Sequence, residues 1–275
     1  LGFGHLEVGT VTPVGQTGNL KPRLFRLIED QAIINRMGFN NKGVDYLTKQ
    51  ISSNHSKVPI GINLGKNKQT PIKSAAEDYL IGLNKAWIYG DYFTINISSP
   101  NTENLRDLQQ EDYLLPLIEK IIKKRDQLCE ASKQFKQIWL KIAPDLSEIE
   151  IKKIIDIALS AKIDALIVTN TTISRSNLKS FYHNETGGLS GKPLGEISDT
   201  ALRIVADYVN GAIPIIGVGG IFKAEDVYRK LSLGATMVQI FTGFIYGGPG
   251  IVKQINKNLI RLMDLNEIKD ISDFS

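Results

Sequence analysis

One cysteine, three histidines and no long apolar run are the scarcities that first limit this 275-residue chain. A lone Cys129 excludes an internal disulfide and points to a reducing compartment. Within "RDQLCEASK" it reads as a packed helix residue. His5, His55 and His183 lack metal-ligand spacing, so no metal site is expected. No apolar run approaches the roughly 18 residues of a membrane span. The opening "LGFGHLEVGTVTP" has neither the basic flank nor the small-residue cleavage site of a signal peptide. Concentrated charge is missing too: the net charge of +4 is spread along the chain. The densest basic patch, "KIIKKR" at 120–125, lies on a helical pattern and reads as a solvated helix face, so no nucleic-acid partner is expected. Two nucleotide-binding signatures are absent. No GxGxxG follows the first strand, and "GVGGIF" at 217–222 has Phe222 where the last glycine would stand. "TGGLSGKP" has Thr186 and Pro193 where a Walker loop needs glycine and Ser or Thr.

What is present is a series of short apolar runs. They are 5–11, 58–64, 92–98, 138–144, 164–170, 213–220 and 236–243, mostly β-branched and nearly continuous. Strands buried on both faces of a parallel sheet read this way. Helical patterns separate them. Leu114, Leu117, Ile118, Ile121 and Ile122 share one helical face. Ser147 and Glu150 form a capping-box signature, Gly211 suits a C′ position, and Pro249 stands near the first turn of the last helix. Alternation of strand and helix predicts an α/β fold, and we expect a (β/α)8 TIM barrel over 1–275 as a single domain. Seven strands are found where a closed barrel needs eight, so an N-terminal first strand is expected to lie outside the chain. Residues 15–57 are long for one connection and are expected to pass over the barrel mouth.

Each run ends in polar or small residues: Thr10; Asn63; Asn96, Ser98 and Ser99; Thr169 and Asn170; Gly219 and Gly220; Thr242 and Gly243. C-terminal strand ends share the face where barrels keep their active sites. Together they would form a donor and acceptor surface suited to a flat heteroaromatic ligand. Lys141 stands between Leu140 and Ile142 on a buried strand, where an unpartnered ammonium is costly. Either it snorkels to the rim, or it is a fixed cation beside an anion such as a reduced flavin. A cofactor phosphate would suit backbone N–H groups near Gly191, Gly220 and Thr242.

The stretches "EVGTVTP", "RLIEDQAIINRMGFNNKG", "GINLGKNK", "NISSPNTENLRDLQ", "KIAPD", "VTNTT", "ETGGLSGKPL", "IPIIGVGGI" and "QIFTGFIYGGPGIV" resemble the quinone-dependent dihydroorotate dehydrogenases from residue 1 to about residue 255. The resemblance implies an FMN enzyme of pyrimidine biosynthesis. It would oxidise (S)-dihydroorotate to orotate and pass electrons to a membrane quinone. By motif, Ser99 would be the catalytic base, since "NISSPN" carries serine where the cytosolic class carries cysteine, and Thr102 would relay the proton. Asn35, Asn96, Asn101 and Asn170 would bind the substrate, with Arg36, Met37, Gly38, Phe39 and Thr171 lining the same site. FMN would contact Thr10, Asn63, Asn96, Lys141, Thr169, Gly191, Gly220, Phe241 and Thr242.

In the family an upstream segment supplies a flavin loop and a substrate-binding lysine, and amphipathic helices further upstream dock on the membrane. Both are expected to lie outside this chain, in agreement with the strand count. The implied location is the cytoplasmic face of a bacterial inner membrane, with the mitochondrial inner membrane as the alternative. Two other readings stay open at this level: a phosphate-binding barrel aldolase or isomerase using Lys141 as a Schiff base, and an inactive fragment of the dehydrogenase.

Overall fold

Period-two alternation within short strands decides which side chains meet the helices and which face inward. The computed structural model describes residues 1–53 and 57–274, so His55 lies outside the described residues. In chain order the elements are β1 (Leu6–Val11), β2 (Val14–Gln16), β3 (Leu24–Leu27), β4 (Ala32–Asn35), β5 (Asn41–Gly43), α1 (Val44–Ser52), β6 (Ile60–Leu64), α2 (Ala75–Ala86), β7 (Tyr92–Asn96) and α3 (Glu111–Ser132). There follow β8 (Gln137–Ile142), α4 (Glu148–Ser160), β9 (Ala165–Val168), β10 (Gly188–Gly191), α5 (Leu194–Val209), β11 (Ile215–Val218), α6 (Ala224–Ser232), β12 (Met237–Gln239), α7 (Thr242–Gly247) and α8 (Ile251–Leu265).

Seven strands form one parallel sheet in the order β1-β6-β7-β8-β9-β11-β12. On β7, Phe93 and Ile95 join the large core shared with α2, α3 and α4. Tyr92 instead packs inside the curl with Trp139, Ala165, Ile167 and Ile216. The sheet bends until its edge strands meet through side chains: Gln239 Nε2 on β12 donates to Glu7 Oε2 on β1 at 3.1 Å. The result is a TIM-barrel-like α/β fold.

The seven expected strands are all present but shorter. The runs 92–98, 164–170, 213–220 and 236–243 leave the ladder at Asn96, Val168, Val218 and Gln239. Their polar ends thus become loops at the barrel mouth. The long connection after β1 is partly ordered: β2 pairs antiparallel with β5, and β4 pairs antiparallel with both β3 and β10. The Tyr246 hydroxyl shares its one proton between the carbonyls of Leu27 and Ala32, at 3.0 and 2.9 Å, tying that small sheet to α7.

The Ser147–Glu150 capping box forms, with Ser147 N donating to Glu150 Oε2 at 2.7 Å. Asn210 and Gly211 close α5 with positive φ. Pro249 stands just ahead of the first turn of α8, which begins at Ile251 behind Gly250. One local expectation needs correction. The basic patch 120–125 is only partly solvated, because Arg125 is 5% exposed and pairs with Asp164 at 2.9 Å. Cys129 lies half-buried on α3 against the core. Among the described residues no helix is long and apolar enough to cross a membrane.

Gly61 on β6 lies beneath the Tyr92 ring, which stacks on Trp139 at 3.7 Å between centroids. A Cβ at Gly61 would stand 1.9 Å from Tyr92 Cζ. Gly61→Ala should therefore destabilise the protein by about 1–3 kcal/mol, the cost of overpacking a closed interior. Urea unfolding checks this, and an unchanged midpoint would show that the ring moves freely.

Candidate active site

Inward positions near the strand ends converge on one cavity of about 900 Å³. Asn96 on β7 and Lys141 on β8 are register partners, so both turn inward side by side. A register shift between Gly9 and Val11 on β1 brings Thr10 beside Asn63 of β6. Their polar groups form a continuous network. Asn170 Nδ2 donates to Asn96 Oδ1 at 3.2 Å and to Ser98 Oγ at 2.9 Å. Asn96 Nδ2 donates to Thr10 Oγ1 at 2.9 Å, and Thr10 Oγ1 donates to Asn63 Oδ1 at 2.6 Å. The buried Tyr79 hydroxyl donates to the Asn96 carbonyl at 2.9 Å, holding the end of β7 from behind. Burial, and Asp78 beside it, push that hydroxyl well above its ordinary value, so it remains a donor.

The loop after β7 brings further hydroxyls and an amide to the site. Ser99 is 6% exposed and lines the cavity, its Oγ accepting from Asn101 N at 3.3 Å. Asn101 Nδ2 donates to Asn35 Oδ1 at 3.0 Å, which joins this loop to β4. Asn101 Oδ1 and Thr102 Oγ1 are buried with no hydrogen-bond partner among the described residues. Unpaired buried acceptors and hydroxyls are costly, and such groups are found where a ligand or water completes them.

Lys141 is the one lysine or arginine lining the cavity, and among the described residues it has no ion-pair or hydrogen-bond partner. It faces inward rather than out to the rim. At the other end, Gly191, Gly220, Phe241 and Thr242 line the same cavity. Thr242 Oγ1 donates to Ser190 Oγ at 2.8 Å, seating the start of α7 against β10. Gly220 has φ +71°, and a Cβ there would lie 2.3 Å from Gly195 Cα, so the loop after β11 touches the start of α5 directly.

Most of the residues expected from the sequence therefore meet. Thr10, Asn35, Met37, Phe39, Asn63, Asn96, Ser99, Asn101, Lys141, Thr169, Asn170, Thr171, Gly191, Gly220, Phe241 and Thr242 all line the cavity. Three stand apart. Arg36 pairs with Glu185 at 2.7 Å and lines a smaller adjoining hollow with Lys68 and Glu103. Gly38 packs against Asn19, and Thr102 is buried behind the Ser99 loop; neither lines either space.

One contributor was not singled out in the sequence. Arg106 Nε donates to the Ser98 carbonyl at 3.1 Å, Nη2 to the Thr171 carbonyl at 2.9 Å, and Nη1 to Asp145 Oδ2 at 2.8 Å. It fastens the loop after β7 to the loop after β9. Asp145 in turn accepts a short hydrogen bond from the Thr172 hydroxyl. The only sequence signal was its place in "NTENLRDLQ", where an arginine looks like any surface charge.

A family profile described as dihydroorotate dehydrogenase matches residues 1–263. A Shewanella pealeana protein called dihydroorotate dehydrogenase (quinone) is 51% identical over 93% of this chain and 76% of its own length. A Neisseria meningitidis protein of the same name is 50% identical over 95% of the chain and 78% of its own length. A solved structure of DHODH from Eimeria tenella in complex with ferulenol superposes with a TM-score of 0.92 at 38% identity, covering 99% of this chain and 78% of that one.

Arg106→Lys keeps the charge but loses the planar fork, which alone reaches both carbonyls and Asp145. Stability should fall by about 1–3 kcal/mol, the range for a lost charged hydrogen bond. Turnover should fall with it, measured alongside the unfolding midpoint. Wild-type behaviour in both would show that the clamp is dispensable.

Proposed function

The chain belongs to the dihydroorotate dehydrogenase family, and from that premise we propose how its cavity performs the family's reaction. That reaction is the oxidation of dihydroorotate to orotate in pyrimidine biosynthesis, by a flavin-dependent oxidoreductase with a quinone as electron acceptor. In this reading the flavin is FMN. The observation that carries it is the polar lining: amides and hydroxyls, with Glu7 as the one carboxylate, surround one unpaired ammonium, Lys141, in a cavity of about 900 Å³. A planar ring system with alternating carbonyl and N–H groups fits such a surface, and the volume lies within the usual range of ligand sites.

Thr10, Asn63, Asn96, Lys141 and Thr169 would hold the ring of FMN, and Gly191, Gly220, Phe241 and Thr242 its phosphate end. When bound, FMN supplies the acceptor for the hydride that leaves C6 of dihydroorotate. The protein supplies the rest. Asn35, Asn96, Asn101 and Asn170 bind the substrate's amides and carboxylate; Asn101 Oδ1 offers an acceptor that the described residues leave unused. Met37, Phe39 and Thr171 close around it, while Arg36 and Gly38 shape the loop from outside. Ser99 Oγ takes the C5 proton as its own proton passes on, because a serine hydroxyl is a weak base without a relay. Thr102, with its unpartnered buried hydroxyl, is the relay in this reading. Lys141 holds a positive charge beside the ring, stabilising the charge that develops as the substrate is oxidised. The quinone acceptor is lipid-soluble, and we place the protein peripherally on the cytoplasmic face of a bacterial inner membrane. The Schiff-base alternative for Lys141 is set aside by family membership.

Two outcomes follow. Ser99→Ala should retain bound FMN while its reduction by dihydroorotate slows at least about 10²-fold, the scale of a lost general base. Stopped-flow absorbance reads this, and reduction at the full rate would reject Ser99 as the base. Lys141→Met should make the two-electron flavin potential more negative by roughly 30 mV, corresponding to about 1.4 kcal/mol less stabilisation of the anionic reduced state. Spectroelectrochemistry measures it, and an unmoved potential would remove Lys141 from this role.

A further inference from the structure

Below the amide network, on the inner wall of β1, stands a half-buried carboxylate that the mechanism does not use. Glu7 receives three hydrogen bonds, all from neutral donors. Asn63 Nδ2 reaches Oε1 at 2.8 Å; Thr94 Oγ1 and Gln239 Nε2 reach Oε2 at 2.8 and 3.1 Å. No lysine or arginine pairs with it among the described residues. The three donors come from β6, β7 and β12, so the carboxylate spans the gap between the sheet's two edges.

We propose that Glu7 is a positioning residue, whose carboxylate sets the amide orientation of Asn63 and, through Thr10, of Asn96. The proposal rests on the flavin reading of the cavity. A carboxylate without a proton only accepts, whereas an asparagine amide turned by half a revolution exchanges donor for acceptor. Asn63 must present Nδ2 to Glu7, which turns its Oδ1 to the Thr10 hydroxyl. That hydroxyl spends its one proton on Asn63 and therefore accepts from Asn96 Nδ2. Asn96 Oδ1 is left to accept from Asn170 and Ser98. The sense of every bond from β1 to the loop after β9 thus follows from one obligate acceptor. The second N–H of the Asn63 amide and of the Asn96 amide is unused within this chain of bonds, so its availability to a ligand follows the same orientation. A reversed Asn63 would set carbonyl oxygen against carboxylate and direct two N–H donors at a single hydroxyl.

The test is FMN binding, read by quenching of flavin fluorescence and by the position of the visible flavin band, with no turnover required. Glu7→Gln keeps the shape but adds a donor, which frees Asn63 to reverse. Its dissociation constant for FMN should rise at least about tenfold, as expected for losing one correctly directed amide hydrogen bond, and the band should shift. The double variant Glu7→Gln with Gln239→Glu moves the carboxylate across the floor. The amide introduced on β1 then donates through its Nε2 to the carboxylate on β12, while its Oε1 again accepts from Asn63. Affinity should return to within about threefold of wild type. A side chain that merely fills the barrel floor would show no such rescue. Folded Glu7→Gln with wild-type affinity and band overturns the proposal, and so does a folded double variant still about tenfold weak. Should Glu7→Gln fail to fold, the double variant decides alone by the same criterion. Wild-type protein that takes up no FMN sinks the flavin reading itself, an outcome distinct from equal binding by wild type and Glu7→Gln.

Discussion

The packing of Phe93, Ile95 and Ile97 against the helices fixes where Thr94, Asn96 and Ser98 point, and the site depends on that constraint. All three apolar residues are fully buried in the core shared with α2, α3 and α4. A strand cannot turn one side chain without turning its neighbours, because successive residues face opposite sides. The hydrophobic grip on the outer face therefore aims the polar inner face without any cost assigned to the polar groups themselves. The same coupling operates on β8, where buried Leu140 and Ile142 flank the inward Lys141.

That arrangement lets a barrel carry many buried amides and hydroxyls. Each would be costly alone in a closed interior. Here they satisfy one another in a directional series from Asn170 to Asn63, and Tyr79 supports the series from outside the sheet. Among the described residues, Asn101 Oδ1 and Thr102 Oγ1 remain unsatisfied in the loop after β7, the Tyr92 hydroxyl remains so inside the curl, and Lys141 is unpaired in the cavity. A rigid, mostly neutral lining with one fixed cation is a preorganised surface: its dipoles need not reorient when charge moves within the cavity.

Strand ends alone would leave the mouth open. The small antiparallel sheet of β3, β4 and β10 brings Asn35 to meet Asn101, and Tyr246 anchors that sheet to α7. Arg106 then binds the loops after β7 and β9 through their carbonyls. Loops built this way have backbone groups spent on side-chain partners, which holds Ser98 and Thr171 in place next to the cavity.

Much of this was legible in order and composition. Nearly continuous β-branched runs separated by amphipathic helices imply a parallel sheet, and polar residues at the ends of those runs imply a functional face. Most of the residues to which the motif resemblance and the strand ends led do line the cavity, because the C-terminal ends of parallel strands always gather on one side. Other features depended on folding in three dimensions. Arg106 and Glu7 are ordinary charged residues in sequence, and what distinguishes them is that distant loops and the two edges of the sheet are brought within reach of a single side chain. Arg36 and Gly38 sit beside cavity-lining residues in the chain yet turn away from the cavity, and Thr102 is buried behind it. The local pattern determines which face of a strand is apolar; only closure of the sheet decides which polar groups meet, since a hydrogen bond is made over about 3 Å in space regardless of separation along the chain.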